Sequence, residues 1–318
     1  MMTATAIDTR ILLKARPTPE QLADRLAAPA PEGIELYLDR LDLVAVDWLE
    51  QVSGQVRRAG APPDFVWIVE APIRTLGGSF FDLTRDDDDH RETLRRVARV
   101  GSAIGAVAAN VHVVAPTTDA RELSADSRER KLAEALPLLE YYEMVCQEAG
   151  LVPQIENVPP VGRMRESAFV FSPIGAATDD LWALAEARPA LRLTVDVSHA
   201  ALSLNWRTVA LSDVEPLLRP VAEFSRDRPG PTTLSEYVAA VADLTTTVHV
   251  SNASGLLGEG RSYDDGDENL DGSLRQLVGT VPYFVTETLE TRPDRATGMR
   301  EAQTRLLALR ASCARGSA

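Results

Sequence analysis

Four residues in this 318-residue chain close runs of alternating apolar and polar residues with a group that can bind a metal or move a proton. They are Glu156 in "QIENVP", Asp196 in "LTVDVSHA", His249 in "TVHVSNASG" and Glu287 in "VTETLE". A charge at the end of a buried strand is costly unless it is paired or coordinates a cation. If the four point inward at strand ends, three carboxylates and one imidazole meet in a partly dry cavity. The carboxylates would repel there, and a divalent ion resolves the conflict. An oxygen-rich set with one nitrogen suits Mn²⁺, Co²⁺ or Mg²⁺ better than a structural zinc site, with Zn²⁺ left open.

The elements that must carry these groups show in the alternation. Leu191, Leu193, Val195 and Val197 share one strand face, with Arg192, Thr194, Asp196 and Ser198 on the other. Val248 and Val250 stand opposite Thr247, His249 and Ser251, and Ile155 stands opposite Gln154 and Glu156. "GIELYLD" sets Ile34, Leu36 and Leu38 against Glu35, Tyr37 and Asp39, while "DFVWIVEAP" ends on Glu70 and "NVHVVAP" carries His112. With "RILLKAR" and "YFVTETL", eight strands are expected. Helical spacing is expected between them at 19–27, 46–59, 89–107, 126–148, 177–187, 209–225, 233–243 and 270–279, with a last helix at 297–313.

Strands alternating with helices argue for a parallel sheet, and eight is the number that closes a barrel. An open sheet would gather its candidate residues at one switch point. Here they sit at the ends of nearly every strand, so the expected fold is α/β, a single (β/α)8 TIM barrel over 1–318. A longer connection at 201–245 and a Gly/Asp-rich loop at 255–272 interrupt it, and "FSRDRPGPTT" in the first could form part of a lid. The acidic run "TRDDDDHRETLRR" suits the N-terminus of a helix, where the macrodipole favours negative charge. Gly101 and Gly105 allow close helix packing.

Composition narrows the partners. A net charge of −14 argues against nucleic acid and against an anionic membrane surface, both of which call for clustered Lys and Arg. No run approaches the roughly 20 apolar residues of a membrane span. The N-terminus lacks a basic segment followed by an apolar one, so no secretory signal is expected. Two cysteines, Cys146 and Cys313, make a disulfide framework unexpected and fit a cytoplasmic protein. P-loop, G-x-S-x-G and paired C-x-x-C motifs are absent. A small-molecule substrate remains, with homo-oligomerisation left open.

"GIELYL", "QIENVP", "LTVDVSHA", "TVHVSNASG" and "VTETLE" together resemble the xylose-isomerase-like TIM-barrel superfamily of sugar isomerases and epimerases, which includes endonuclease IV. The resemblance runs in order over nearly the whole chain. It implies that Glu156, Asp196, His249 and Glu287 bind one divalent metal, as the matching positions do in ketose epimerases. By the same resemblance His199 contacts a substrate oxygen or serves as a second ligand; His112 and Glu70, near the ends of their own strands, are expected as further substrate contacts. Glu156 and Glu287 would lie on opposite sides of the substrate, one removing a proton to give an enediolate and the other returning one.

The implied activity is a divalent-metal-dependent isomerase or epimerase of a sugar, ketose or polyol. A metal-dependent lyase, dehydratase or hydrolase on a related polyol or glycoside is the alternative. An endonuclease IV-like phosphodiesterase ranks below both. Endonuclease-like members use histidines near the ends of strands 3 and 4 and an Asp-x-His after strand 7. This chain has Glu70, His112 and Asp265-Gly266-Asp267 instead, so a full nuclease cluster is not matched and a second metal stays open. Glu259, Arg261 and Tyr263 read as loop solvation in preference to substrate contacts.

Overall fold

The computed structural model describes residues 7–163 and 169–316. The first six residues of the N-terminal stretch read for a secretory signal lie outside them. Among the described residues twelve strands follow in chain order: β1 (Arg10–Ala15), β2 (Gly33–Tyr37), β3 (Val66–Glu70), β4 (Ala108–His112), β5 (Val152–Glu156), β6 (Val161–Arg163), β7 (Phe169–Phe171), β8 (Arg192–Asp196), β9 (Thr245–Val250), β10 (Asn252–Ser254), β11 (Gly258–Arg261) and β12 (Tyr283–Thr286). Eight of them close a parallel barrel in the order β1-β12-β9-β8-β5-β4-β3-β2. The other four form two antiparallel hairpins, β6–β7 and β10–β11. Both follow C-terminal strand ends, the end where barrel enzymes build their sites.

Register decides which residues face inward. Lys14 lies beside Glu35, Glu35 beside Ile68, Asn110 beside Gln154, His112 beside Glu156, Asp196 beside His249, and His249 beside Val285. Paired residues share a face, and steps of two keep to it, so one continuous set lines the barrel. Its lower members Leu12, Val66, Ile68, Ala108 and Val285 form an apolar floor. On the opposite face Ile34, Val69, Val111, Ile155, Val195 and Val248 pack against surrounding helices through Leu94, Leu138, Leu184 and Val238. Gly175 shows how tightly the mouth is built. Its φ is +91°, and an added Cβ would stand 2.0 Å from the Val113 carbonyl oxygen.

Several boundaries differ from expectation. β8 stops at Asp196, and Val197–Thr208 is a helix that the alternation concealed. Asp196 is its N-cap, accepting from the His199 backbone N–H at 2.7 Å, and Ala200, Ala201, Leu202 and Leu204 favour helix beyond it. Ser198 and His199 therefore occupy a first helical turn and not a strand face. The expected helix at 209–225 is instead two 3₁₀ turns, Leu211–Asp213 and Pro216–Leu218, followed by a helix at Arg219–Arg226. Pro216 and Pro220 lack the N–H that a continuous helix needs. The 46–59 pattern is one helix, Trp48–Ala59, preceded by a short turn of helix at Arg40–Val44.

The 224–233 stretch, expected as part of a lid, is pinned. Arg228 bridges to Asp179 and Asp180, and Arg207 donates to the carbonyls of Pro231 and Arg228. The acidic run caps its helix: Asp87 precedes Asp88–Ile104 and accepts from the His90 backbone N–H at 3.0 Å. An added Cβ at Gly101 would meet Leu151 at 2.7 Å, so that glycine does serve close packing. Among the described residues no helix is long and apolar enough to cross a membrane.

Candidate metal centre

The strands deliver their last inward residues to one point. Glu156 ends β5, Asp196 ends β8, His249 lies one residue before the end of β9, and Glu287 follows β12. One ligand atom from each lies within 4.8 Å of all the others. His249 is at the centre and fully buried. Its Nδ1 is 2.7 Å from Glu287 Oε2 and 3.2 Å from Glu156 Oε1, and its Nε2 is 2.6 Å from Glu35 Oε2. A carboxylate on the far nitrogen of an imidazole fixes its tautomer and orients it toward a metal. Glu35 at Nε2 turns Nδ1 toward Glu156, Asp196 and Glu287.

Sequence reasoning left two members of this layer out of the site. Glu35 is one. Lys14 is the other: its Nζ bridges Glu70 and, at 2.5 Å, Glu287 Oε1. The signal was a lysine two residues after Leu12 on the inward face of an otherwise apolar strand. Glu70, expected as a substrate contact, is instead buried against Lys14, and the cleft beside the centre is lined by other residues. Beneath these, Gln154 ties three strands together, bonding to Thr194 of β8 and to Thr246 and Thr247 of β9.

The charges are interlocked. Burial alone would lower the Lys14 ammonium, yet Glu287, Glu70, Glu35 and Glu156 hold it well above the ordinary lysine value. Burial opposes ionisation of Glu156 and Glu287 as well. His249 and His112 nevertheless keep Glu156 well below the usual range, while Lys14 and His249 bring Glu287 to about 2. Asp196 is pushed up to about 6, chiefly by burial. Glu70 is also raised by burial, against the pull of Lys14. A divalent ion fits this donor set: Glu287 Oε2 is buried with His249 Nδ1, itself a candidate ligand, beside it, and the acids outnumber Lys14.

Asn157 sets the geometry of the mouth. Its side chain accepts from the Asp196 N–H at 2.7 Å and donates to the Asp196 carbonyl at 2.9 Å. Its own carbonyl lies 2.9 Å from His199 Nδ1. That contact leaves His199 Nε2 turned toward Glu259, 3.6 Å away on β11. His112 Nε2 is 3.6 Å from Glu156 Oε1. His112, His199 and Glu259 border a cleft of about 210 Å³ whose other walls include Pro72, Phe81 and Val158. Tyr263 turns away, its hydroxyl donating to Asp271.

No family model matches the chain, and no curated protein matches it in sequence. Solved structures do. A D-tagatose 3-epimerase-like protein superposes over 96% of this chain and 99% of its own, with a TM-score of 0.63 and 13% identity. The 3-keto-D-glucoside 4-epimerase from E. coli covers 94% and 99%, with a TM-score of 0.60 and 14% identity. The fold is that of the xylose-isomerase-like TIM barrels. Endonuclease IV from Thermus thermophilus shares it, with a TM-score of 0.55 and 15% identity over 94% of this chain and 99% of that one. In this barrel the Asp265–Asp267 stretch is committed to its own loop. Asp267 accepts from the Gly255 N–H, and Gly266 packs against the Asn252 side chain.

Proposed function

We propose that the chain is a divalent-metal-dependent isomerase or epimerase of a sugar, ketose or polyol, with Glu156, Asp196, His249 and Glu287 as the metal ligands. The convergence of the three carboxylates around His249, with more buried carboxylate than fixed cation to balance it, carries the reading. The kinship in fold to sugar epimerases supports it. Mn²⁺, Co²⁺ or Mg²⁺ suits the oxygen-rich set.

A bound ion would supply Lewis acidity, lowering the pKa of a carbon acid that lies between carbonyl and hydroxyl oxygens. The residues of this chain do the rest. Glu156 and Glu287, held ionised, are the proton-transfer pair: one removes the proton to leave an enediolate, and the other returns it to the opposite face or a neighbouring carbon. His249 is kept in orientation by Glu35. His199 and His112 present ring nitrogens at the cleft to substrate hydroxyls, with His199 fixed from behind by the Asn157 carbonyl. Glu70 enters as the partner of Lys14 and not as a substrate contact.

The test is the metal content of the purified protein, followed by a screen of ketoses, aldoses and inososes in deuterated water. The expected result is one divalent ion and metal-dependent uptake of deuterium at the carbon next to a carbonyl. Metal-independent exchange, or full retention of metal when Asp196 and His249 are both replaced, would falsify the assignment.

A further inference from the structure

The interior holds more acid than one divalent ion would balance. Glu35, Glu70, Glu156, Asp196 and Glu287 all face it, and the first three are almost wholly buried. On the reading proposed above, one ion serves Glu156, Asp196 and Glu287, while Glu35 is engaged with His249. Glu70 is left over. Among the described residues two further groups are close enough to hold a cation, Glu35–Glu70–His249 and Glu70–His112–Glu156. Both require Glu70, and Glu70 is the carboxylate that Lys14 holds.

We infer that Lys14 is a positioning residue that makes this a one-metal site: its ammonium stands as the second cation of the interior, occupying Glu70 and directing Glu287. The second part follows from its other contact. Lys14 takes Glu287 Oε1 at 2.5 Å, which leaves Oε2 on the side of His249, 2.7 Å from its Nδ1. Glu287 is thereby presented to the centre through a single oxygen. A fixed cation on β1 and an exchangeable one among β5, β8, β9 and β12 divide the interior acids between them. The inference rests on the tetrad being the metal centre.

Counting ions tests it without any substrate. Metal-free protein is titrated with Mn²⁺, and bound metal is measured by the loss of the free-ion electron paramagnetic resonance signal and by elemental analysis. The wild type is expected to bind one Mn²⁺ per chain. Lys14→Met, which keeps the length and removes the charge, is expected to bind two, because Glu70 and Glu287 Oε1 are released together. Lys14→Met/Glu70→Gln is expected to return to one. Lys14→Gln repeats the count should Lys14→Met fail to fold by circular dichroism.

One ion in both the wild type and the Lys14 variants overturns this inference and leaves the metal reading intact. Two ions in the wild type overturn it outright. A wild type that binds none removes the metal reading and this inference together.

Discussion

The floor and the mouth of the barrel are built from the same strands, two residues apart. Leu12 becomes Lys14 on β1, Ile68 becomes Glu70 on β3, Ala108 becomes Asn110 and then His112 on β4, and Val285 becomes Glu287 just past β12. A step of two keeps the side chain on the inward face and moves it toward the C-terminal end. Only the chemistry changes. Below, apolar side chains close the interior; above, ionisable groups fill it. The floor keeps water from reaching the charges from beneath, so they meet in a medium where they pair strongly and where a cation is held firmly. Stability and function are stacked along the barrel axis, and they should respond to substitution separately.

The largest separation is expected at the proposed metal ligands. Asp196→Asn removes the charge but keeps a good N-cap for the helix Val197–Thr208. Asp196→Asn and His249→Gln should each abolish metal binding in equilibrium dialysis while leaving the far-ultraviolet circular dichroism almost unchanged. Retained metal in both would place the centre elsewhere in the barrel.

Next come the two glutamates, which separate a metal holder from a proton mover. An amide oxygen can still face a cation but cannot accept a proton near neutral pH. Metal-saturated Glu156→Gln and Glu287→Gln should each lose at least about 10²-fold in turnover, in line with removal of a general base. Full recovery of both with excess Mn²⁺ or Co²⁺ would move proton transfer to His199 or His112.

What the sequence disclosed divides along the same axis. Alternation on eight strands was enough to expect the closed barrel, because each inward row had to end in something polar. Glu156, Asp196, His249 and Glu287 stood out as single ionisable residues closing apolar runs, and the structure brings them together. Lys14 and Glu35 were harder to see as site members, since a lysine or glutamate mid-strand also suits a solvated face. Only register across the barrel shows that Glu35 meets His249 and that Lys14 meets Glu70. The helix after Asp196 was hidden for a different reason. Val195 and Val197 alternate with Asp196 and Ser198 as a strand would, and the N-cap hydrogen bond that ends the strand is a three-dimensional fact.

At the floor the expected effect is one of stability. Ile68 is fully buried between the charged layer and the barrel bottom. Ile68→Ala should cost roughly 2–5 kcal/mol in urea unfolding, the range for truncating a packed core aliphatic. Its Kd for Mn²⁺ should stay within about threefold of wild type, well under the change of about 1.4 kcal/mol that a tenfold shift requires. A large loss of metal affinity would mean that the floor and the mouth are mechanically coupled, so that stability and function do not separate along the axis.

The smallest effect is expected at Asn157, where the two regions are joined through the backbone. Its carboxamide is the partner of both the N–H and the C=O of Asp196, so it holds the last residue of β8 against the end of β5. Asn157→Ala strips the partner from the buried Asp196 N–H, at a cost of about 1–3 kcal/mol for a group left unsatisfied, while the Asp196 carbonyl keeps the first bond of the helix that follows. The ring of His199 should keep its place, because the backbone carbonyl of residue 157 that anchors Nδ1 survives the change. Asp196 loses its tether, so the variant should unfold at lower urea and also bind Mn²⁺ about tenfold more weakly. A drop in stability with unchanged metal affinity would show that the helix cap alone positions the Asp196 carboxylate. Unchanged values for both would show that the paired hydrogen bonds across β5 and β8 do not hold the mouth in shape.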